Sequence, residues 1–430
     1  MKRALTLPDI SWFFFPLLLN VQLMSVSHTV INAALARESD YVSALAAFAT
    51  AMVIHLFFAS PSYQNHTVTI AMVRGQRSLR GVLLFVVLVA VYVSIMLTLI
   101  AFTPLGDMLL RQLLGVSAEL ADETRKVVAL LAVLPFITGF RGFFQGVVIR
   151  SRRTGLVSLA TGVRIAALFG YLLLGRNWFS GAQLGGFALV ACVATETVVI
   201  GFFAWRVRLP SREVSEEKSV LEVLRYAFPL AYSSCLQQAI PLLITAIIGR
   251  LADGATALAA FGVIRGFLFL LAGPLRNLQQ AYLTLVEDEH DFQVLKRFYW
   301  RISLLLGTLL VAVAFPLNSL ILGRLVGVAG ELRSYISWPL ACCAAYPLLY
   351  GAANLLRGYF AGAHRTAMLG RSTLWKASFL AACWLLSLVL PLPFSGISVA
   401  IGLLLVAELL ETGYLLLQKS RQLERFAKAS

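Results

Sequence analysis

Apolar stretches of roughly twenty residues recur along the whole chain, separated by short polar segments. That length matches a helix crossing the hydrocarbon core of a bilayer. The pattern predicts twelve spans, at 10–36, 42–73, 80–102, 124–150, 155–175 and 182–206, then 220–250, 255–286, 297–322, 333–360, 366–391 and 396–418. Several exceed what a straight crossing needs, which predicts tilt or extension beyond the membrane. Polar residues at Asn20, Gln22, His28 and Asn32 interrupt the first run, which continues to about Ala36 without a small-residue cleavage site. It reads as a span and not as a leader. Polar residues concentrate between 206 and 225, at the chain midpoint, which predicts halves 1–209 and 220–430 joined by a cytoplasmic linker at 210–219.

The two halves repeat. LAAF at 45–48 recurs at 258–261, and Pro16 and Pro61 recur as Pro229 and Pro274, all at an offset of 213. Pro135, Gly139, Gly146 and Arg153-Thr154 recur as Pro347, Gly351, Gly358 and Arg365-Thr366 at 212. Ser180-Gly181 and Glu196-Thr197 recur as Ser395-Gly396 and Glu411-Thr412 at 215. Six spans per repeat keep both halves in the same orientation, an arrangement in which transporters hold substrate between halves near the midplane. The fold class expected is an all-α membrane protein built as two pseudo-symmetric six-helix bundles.

Composition agrees: 59% of the residues are hydrophobic and only 13% charged, against about 25% charged in soluble domains. The net charge of +15 would suggest nucleic acid in a soluble protein. Here, with the N-terminus placed inside, 22 Lys and Arg fall on inside segments, eight on outside loops and six within spans. The positive-inside rule then puts both termini in the cytoplasm, with no nucleic-acid partner. The inner membrane of a bacterium is the expected location, and the repeat makes a monomer sufficient. Five cysteines lie in apolar runs without CxxC spacing, so no metal, redox centre or cofactor is expected.

Intramembrane polar residues carry the candidate chemistry, because each must be satisfied where there is no water. Asn20, His28 and Asn32 share one face of the first span; Ser233, Gln237 and Pro241 have the same kind of spacing in the seventh. The second span breaks at Pro61 before Gln64, Asn65 and His66, and the eighth at Pro274 before Arg276, Asn277, Gln279 and Gln280. A proline kink followed by polar side chains suggests a cavity lining, and helix-to-helix ties are the alternative. Gly142, Gly146, Gly358 and Gly362 have the spacing of close helix packing.

The six intramembrane cations are Arg141, Arg164, Arg265, Arg276, Arg357 and Lys376, against three acids, Glu196, Glu408 and Glu411. Arg141 and Arg357 lie near cytoplasmic span ends, where snorkelling is expected. Arg164 and Lys376 lie deep in their spans and superpose at offset 212. They read either as anion contacts or as partners of the glutamates. The glutamates read as neutralising groups or as proton carriers for coupling, with H+ or Na+ as the coupling ion. The cationic excess points to a small anionic substrate, a carboxylate, phosphate or pyrophosphate. There is no GxxxxGK[ST], HExxH or GxSxG motif, so secondary transport is expected and no catalytic residues are assigned.

Two six-span halves with proline-broken second and eighth spans resemble the multidrug/oligosaccharidyl-lipid/polysaccharide (MOP) exporter superfamily, which includes the MATE-type antiporters. Leu45-Ala46 with Phe57-Phe58-Ala59-Ser60-Pro61, Leu134-Pro135-Phe136 and the exit Arg150-Ser151-Arg152-Arg153 are similar to the progressive ankylosis family. That resemblance implies export of anions such as pyrophosphate, nucleotides or citrate. A flippase for a lipid-linked pyrophosphate sugar and a cation-coupled multidrug antiporter are the rival functions. MATE-type drug antiporters often carry an Asp in the first span, where this chain has Asn20 and His28. The expected anion path runs through a central cationic cleft and uses Arg164, Lys376, Asn20, His28, Asn32, Gln64, Asn65, Gln237, Arg276 and Asn277.

Overall fold

The computed structural model describes residues 5–113, 117–207, 217–251, 253–326, 328, 330–389 and 394–427. The linker expected at 210–219 lies outside them up to residue 216, and so do the basic residues Lys2, Arg3, Arg208, Arg212 and Lys428. Among the described residues the regular structure is helical throughout. The helices are α1 (Leu7–Leu35), α2 (Tyr41–Ala59), α3 (Asn65–Met72), α4 (Gln76–Phe102), the short α5 (Pro104–Asp107), α6 (Ala118–Leu131), α7 (Leu134–Arg150), α8 (Thr154–Gly175) and α9 (Ala182–Val207). They continue as α10 (Val220–Ile248), α11 (Gly254–Leu271), α12 (Leu278–Leu285), α13 (Glu289–Ala314), α14 (Gly330–Cys342), α15 (Tyr346–Gly362), α16 (Thr366–Ser387) and α17 (Gly396–Ala427).

Among the described residues each of the twelve apolar runs is built mainly of helix. Nine helices among the described residues are long and apolar enough to cross a membrane, or eleven when each of two bent pairs counts as one span. α16 has the length, at 22 residues, but carries Arg371 and Lys376. Apolar side chains such as Trp12, Phe15, Val198 and Trp375 stand 62–80% exposed, as a surface solvated by lipid requires.

The helix breaks have local causes. Pro61 and Pro274 each sit in a 3-10 turn, Ser60–Gln64 and Gly273–Asn277. A proline withholds an N–H from the helix ladder and crowds the preceding turn. The chain bends by 44° at the second of these and by 42° between α6 and α7, where Pro135 opens α7.

The chain forms two compact units, one of Phe15–Cys235 and one of Met1–Phe14 with Leu236–Ser430. In the first, α8 and α7 pack on α9, and α3 packs on α7. In the second, α15 and α16 pack on α17, and α12 on α15. Glycine permits the close approaches: a Cβ on Gly146 would lie 2.6 Å from Thr69 Cβ, and one on Gly358 would lie 2.6 Å from Tyr282 Cβ. The repeat reaches further than the motifs that reveal it. The backbone N–H of Gly181 donates to Glu38 at 3.2 Å, and that of Gly396 donates to both Asp253 oxygens at 2.9 and 3.0 Å. In each unit a carboxylate after the first span thus holds the start of the sixth. Anions are favoured there because the first N–H groups of a helix lack internal partners.

Candidate functional site

Each unit buries one cluster of charges. In unit Phe15–Cys235 the cluster forms where α7, α8 and α9 meet, with α1 alongside. Glu196 on α9 is fully buried. Its Oε2 accepts from Arg141 Nη1 at 3.0 Å and Arg164 Nη1 at 3.3 Å. Its Oε1 faces Gln145 Nε2 at 3.3 Å and the Thr161 hydroxyl at 2.9 Å. That hydroxyl also lies 2.5 Å from Asn20 Oδ1, so α1 joins the network. His28 lies within electrostatic reach of Arg164, and His55 of His28. Two guanidinium groups thus share one carboxylate, which leaves the cluster with a net charge of +1. The Nε atoms of Arg141 and Arg164 are buried and, among the described residues, have no hydrogen-bond partner.

The unit containing Leu236–Ser430 builds the counterpart from α15, α16, α17 and α10. Arg357 Nε donates to Glu411 Oε1 at 2.9 Å, and its Nη2 donates to the same oxygen and, at 2.7 Å, to Thr373 Oγ1. The Gln237 amide, oriented with its oxygen toward Arg357, accepts from Nη1 at 3.2 Å and Nη2 at 2.6 Å. Lys376 donates to Glu408 Oε1 and, at 3.1 Å, to Glu411 Oε2. All four charged side chains are 1–4% exposed. Two cations meet two carboxylates, so this cluster is neutral.

The ten residues read from the sequence as substrate contacts therefore divide. Asn20 and Arg164 enter the first cluster, with His28 in electrostatic reach; Gln237 and Lys376 enter the second. The pairing of Arg164 and Lys376 with glutamates, one of two readings open in the sequence, is the geometry found. Asn32 is exposed. At the Pro61 break, Gln64 Nε2 donates to Ser234 Oγ at 2.8 Å and Asn65 Nδ2 to the Gly139 carbonyl at 3.4 Å. At the Pro274 break, Arg276 is exposed, and among the described residues it has no hydrogen-bond or ion-pair partner. Beside it the Asn277 Nδ2 and Gln279 Nε2 atoms are buried and unpartnered.

One expectation is corrected. Arg141 and Arg357 do not snorkel; they are 9% and 4% exposed and paired with Glu196 and Glu411. Position along a span reports depth, but the facing helix decides whether a deep cation finds a carboxylate. Gln145, Thr161 and Thr373 were missed as site residues. The repeat carried the signal, since offset 212 places Gln145 on Arg357 and Thr161 on Thr373.

The helix order and the proline breaks define a class. The fold is that of MATE-type transporters of the MOP superfamily. It matches MATE in its bent conformation with a TM-score of 0.73 at 13% identity, covering 97% of this chain and 96% of that one. It matches a MOP superfamily transporter from Pyrococcus furiosus with a TM-score of 0.71 at 13% identity, over 96% and 95% of the two chains. The eukaryotic MATE transporter AtDTX14 matches with a TM-score of 0.70 at 14% identity, over 95% and 94%. More particularly, residues 5–178 match the model of the progressive ankylosis protein (ANKH) family. This bears out the likeness read from the short motifs. The chain is an integral, multi-pass membrane protein.

Proposed function

We propose that the chain is a secondary transporter that exports small organic or phosphate anions, of the pyrophosphate, nucleotide or citrate kind, by alternating access. The observation that carries this reading is the excess positive charge buried around Glu196. An uncompensated charge inside a helical bundle costs several kcal/mol, and on insertion scales an arginine at mid-bilayer costs about 2.5–3.5 kcal/mol. A bound anion would offset that cost. Guanidinium groups suit carboxylates and phosphates because their forked donors match two oxygens at once. The free guanidinium of Arg276, next to unpartnered amide donors, adds further anion-binding capacity at a helix break. The likeness of residues 5–178 to the progressive ankylosis family points the same way. For the MOP superfamily transporter from Pyrococcus furiosus, a reversed polarity of the binding pocket is what suggests a different function.

The test is thermal unfolding of the detergent-purified protein with citrate, pyrophosphate, ATP, a lipid-linked pyrophosphate sugar and two cationic dyes. A ligand that binds only the folded state stabilises it by about 2.7 kcal/mol at one hundred times its Kd. Small anions should raise the melting temperature. Arg276→Gln, which breaks no bond within the described residues, should weaken that rise and leave the unliganded protein's melting unchanged. Stabilisation by the dyes alone would overturn the reading, and stabilisation by the lipid-linked compound alone would transfer it to a flippase.

A further inference from the structure

The two clusters share a frame. The repeat equates Arg164 with Lys376, Thr161 with Thr373, Gln145 with Arg357 and Glu196 with Glu411. Beyond that frame the first half adds Arg141, where the second has Ala353, and the second adds Glu408, where the first has Val193. Without the Glu408 charge the second cluster would hold two cations and one carboxylate, the same +1 as the first. Glu408 alone makes it neutral.

Glu408 is also the least tightly held carboxylate in the cluster. Both oxygens of Glu411 are engaged, one by Arg357 and one by Lys376. Glu408 has only a share of Lys376, through Oε1. Its Oε2 is buried and, among the described residues, accepts no hydrogen bond; the residue is 3% exposed. A buried acceptor without a donor carries an uncompensated desolvation cost.

Charged and titratable groups stand on the elements packed against α17. Lys376 stands on α16, and Arg357, Tyr346 and Tyr350 on α15, all within electrostatic reach of Glu408. Arg265 on α11 lies over the Phe261 ring. Cys343 precedes α15, and Tyr335 on α14 donates to Asp253. Glu411 sits one turn along α17 itself. Arg357 is already committed to Glu411, Thr373 and Gln237, so among the described residues Lys376 is the cation in direct contact.

Resting on the anion reading above, we propose that Glu408 is a proton-binding site that couples proton uptake to anion binding. Its Oε2 accepts a proton from hydronium and releases water. The carboxyl becomes neutral, and the unpartnered oxygen becomes a hydroxyl donor. Lys376 keeps Glu411, and the second cluster passes from neutral to +1. A +1 cluster attracts an anion, and a bound anion in turn favours the +1 state. By linkage the two bind cooperatively, each tightening the other by the same factor.

Glu408→Gln, which has the same shape and is permanently neutral, provides the test. Binding of citrate and of pyrophosphate to full-length protein in detergent would be followed across pH. A pH dye in weak buffer would report proton uptake, with the variant run in the same buffer to subtract protons carried by the probes. In the wild type the apparent affinity should tighten by up to about tenfold per unit fall in pH, with proton uptake on binding. An infrared band of a protonated carboxylic acid should appear when the anion is added. In Glu408→Gln affinity should be flat with pH, and both the excess uptake and the band should vanish. Anion binding with the same pH dependence in wild type and variant would overturn the proton site and leave the anion reading standing. Absence of anion binding in both, at every pH, would overturn the anion reading and this inference with it. If the variant does not fold, the wild type decides alone: binding without the infrared band overturns the proposal.

Discussion

Substituting Glu196→Gln tests whether the buried cluster in unit Phe15–Cys235 is an electrostatic unit. The glutamine fits the same space, but it removes the only carboxylate among the described residues that faces Arg141 and Arg164. The net charge of the cluster rises from +1 to +2. Of four groups directed at Glu196, two are cations at 3.0 and 3.3 Å, and glutamine offers them one carbonyl oxygen in place of two charged ones. Removing one member of a buried ion pair costs about 3–5 kcal/mol, and full burial of Glu196 leaves no water to soften that loss. Arg164→Gln alone should cost less, because Arg141 still neutralises Glu196. The double variant should recover part of the loss, with an interaction term of about 0.5–3 kcal/mol. Unfolding free energies in mixed detergent micelles, measured for the wild type, both single variants and the double, close the cycle. Added pyrophosphate should restabilise Glu196→Gln more than the wild type, since the cluster then lacks its internal anion. Losses that simply add in the double variant would refute the electrostatic account and leave packing as the cause.

Three further outcomes follow from the geometry. Asp253 lies between spans, and the Tyr335 hydroxyl, then the Gly396 N–H, hold its carboxyl below the usual aspartate range. Its contribution is therefore full above the unfolded-state value of about 3.9 and is lost as pH falls through the lower folded-state value. Melting curves over an acid series should show this loss in the wild type and not in Asp253→Asn. Gly146→Ala would place a Cβ 2.6 Å from Thr69 Cβ and 2.9 Å from the His66 carbonyl, and such overpacking costs about 1–3 kcal/mol. Gly162→Ala meets nothing within 4 Å and should be neutral or stabilise by up to about 1 kcal/mol; a melting-temperature comparison separates the two.

What could be read without coordinates was set by local physics. A run of apolar residues long enough to span lipid must be helical there, because only a helix satisfies every backbone group internally. Pro61 and Pro274 each lack an N–H, so the breaks fall where the residues stand. The repeat was legible for the same reason: duplicated prolines and glycines impose duplicated turns. Tertiary structure alone decided which deep charges meet. Arg141 and Glu196 are 55 residues apart and Arg357 and Glu411 are 54 apart, on helices whose rotation about their own axes no spacing rule specifies. Depth along the span predicted snorkelling for both arginines, whereas packing against α9 and α17 turned them onto buried carboxylates. The surplus charge around Glu196 and the unpartnered oxygen of Glu408 likewise exist only once those helix faces are brought together, because a charge balance belongs to a volume and not to a stretch of chain.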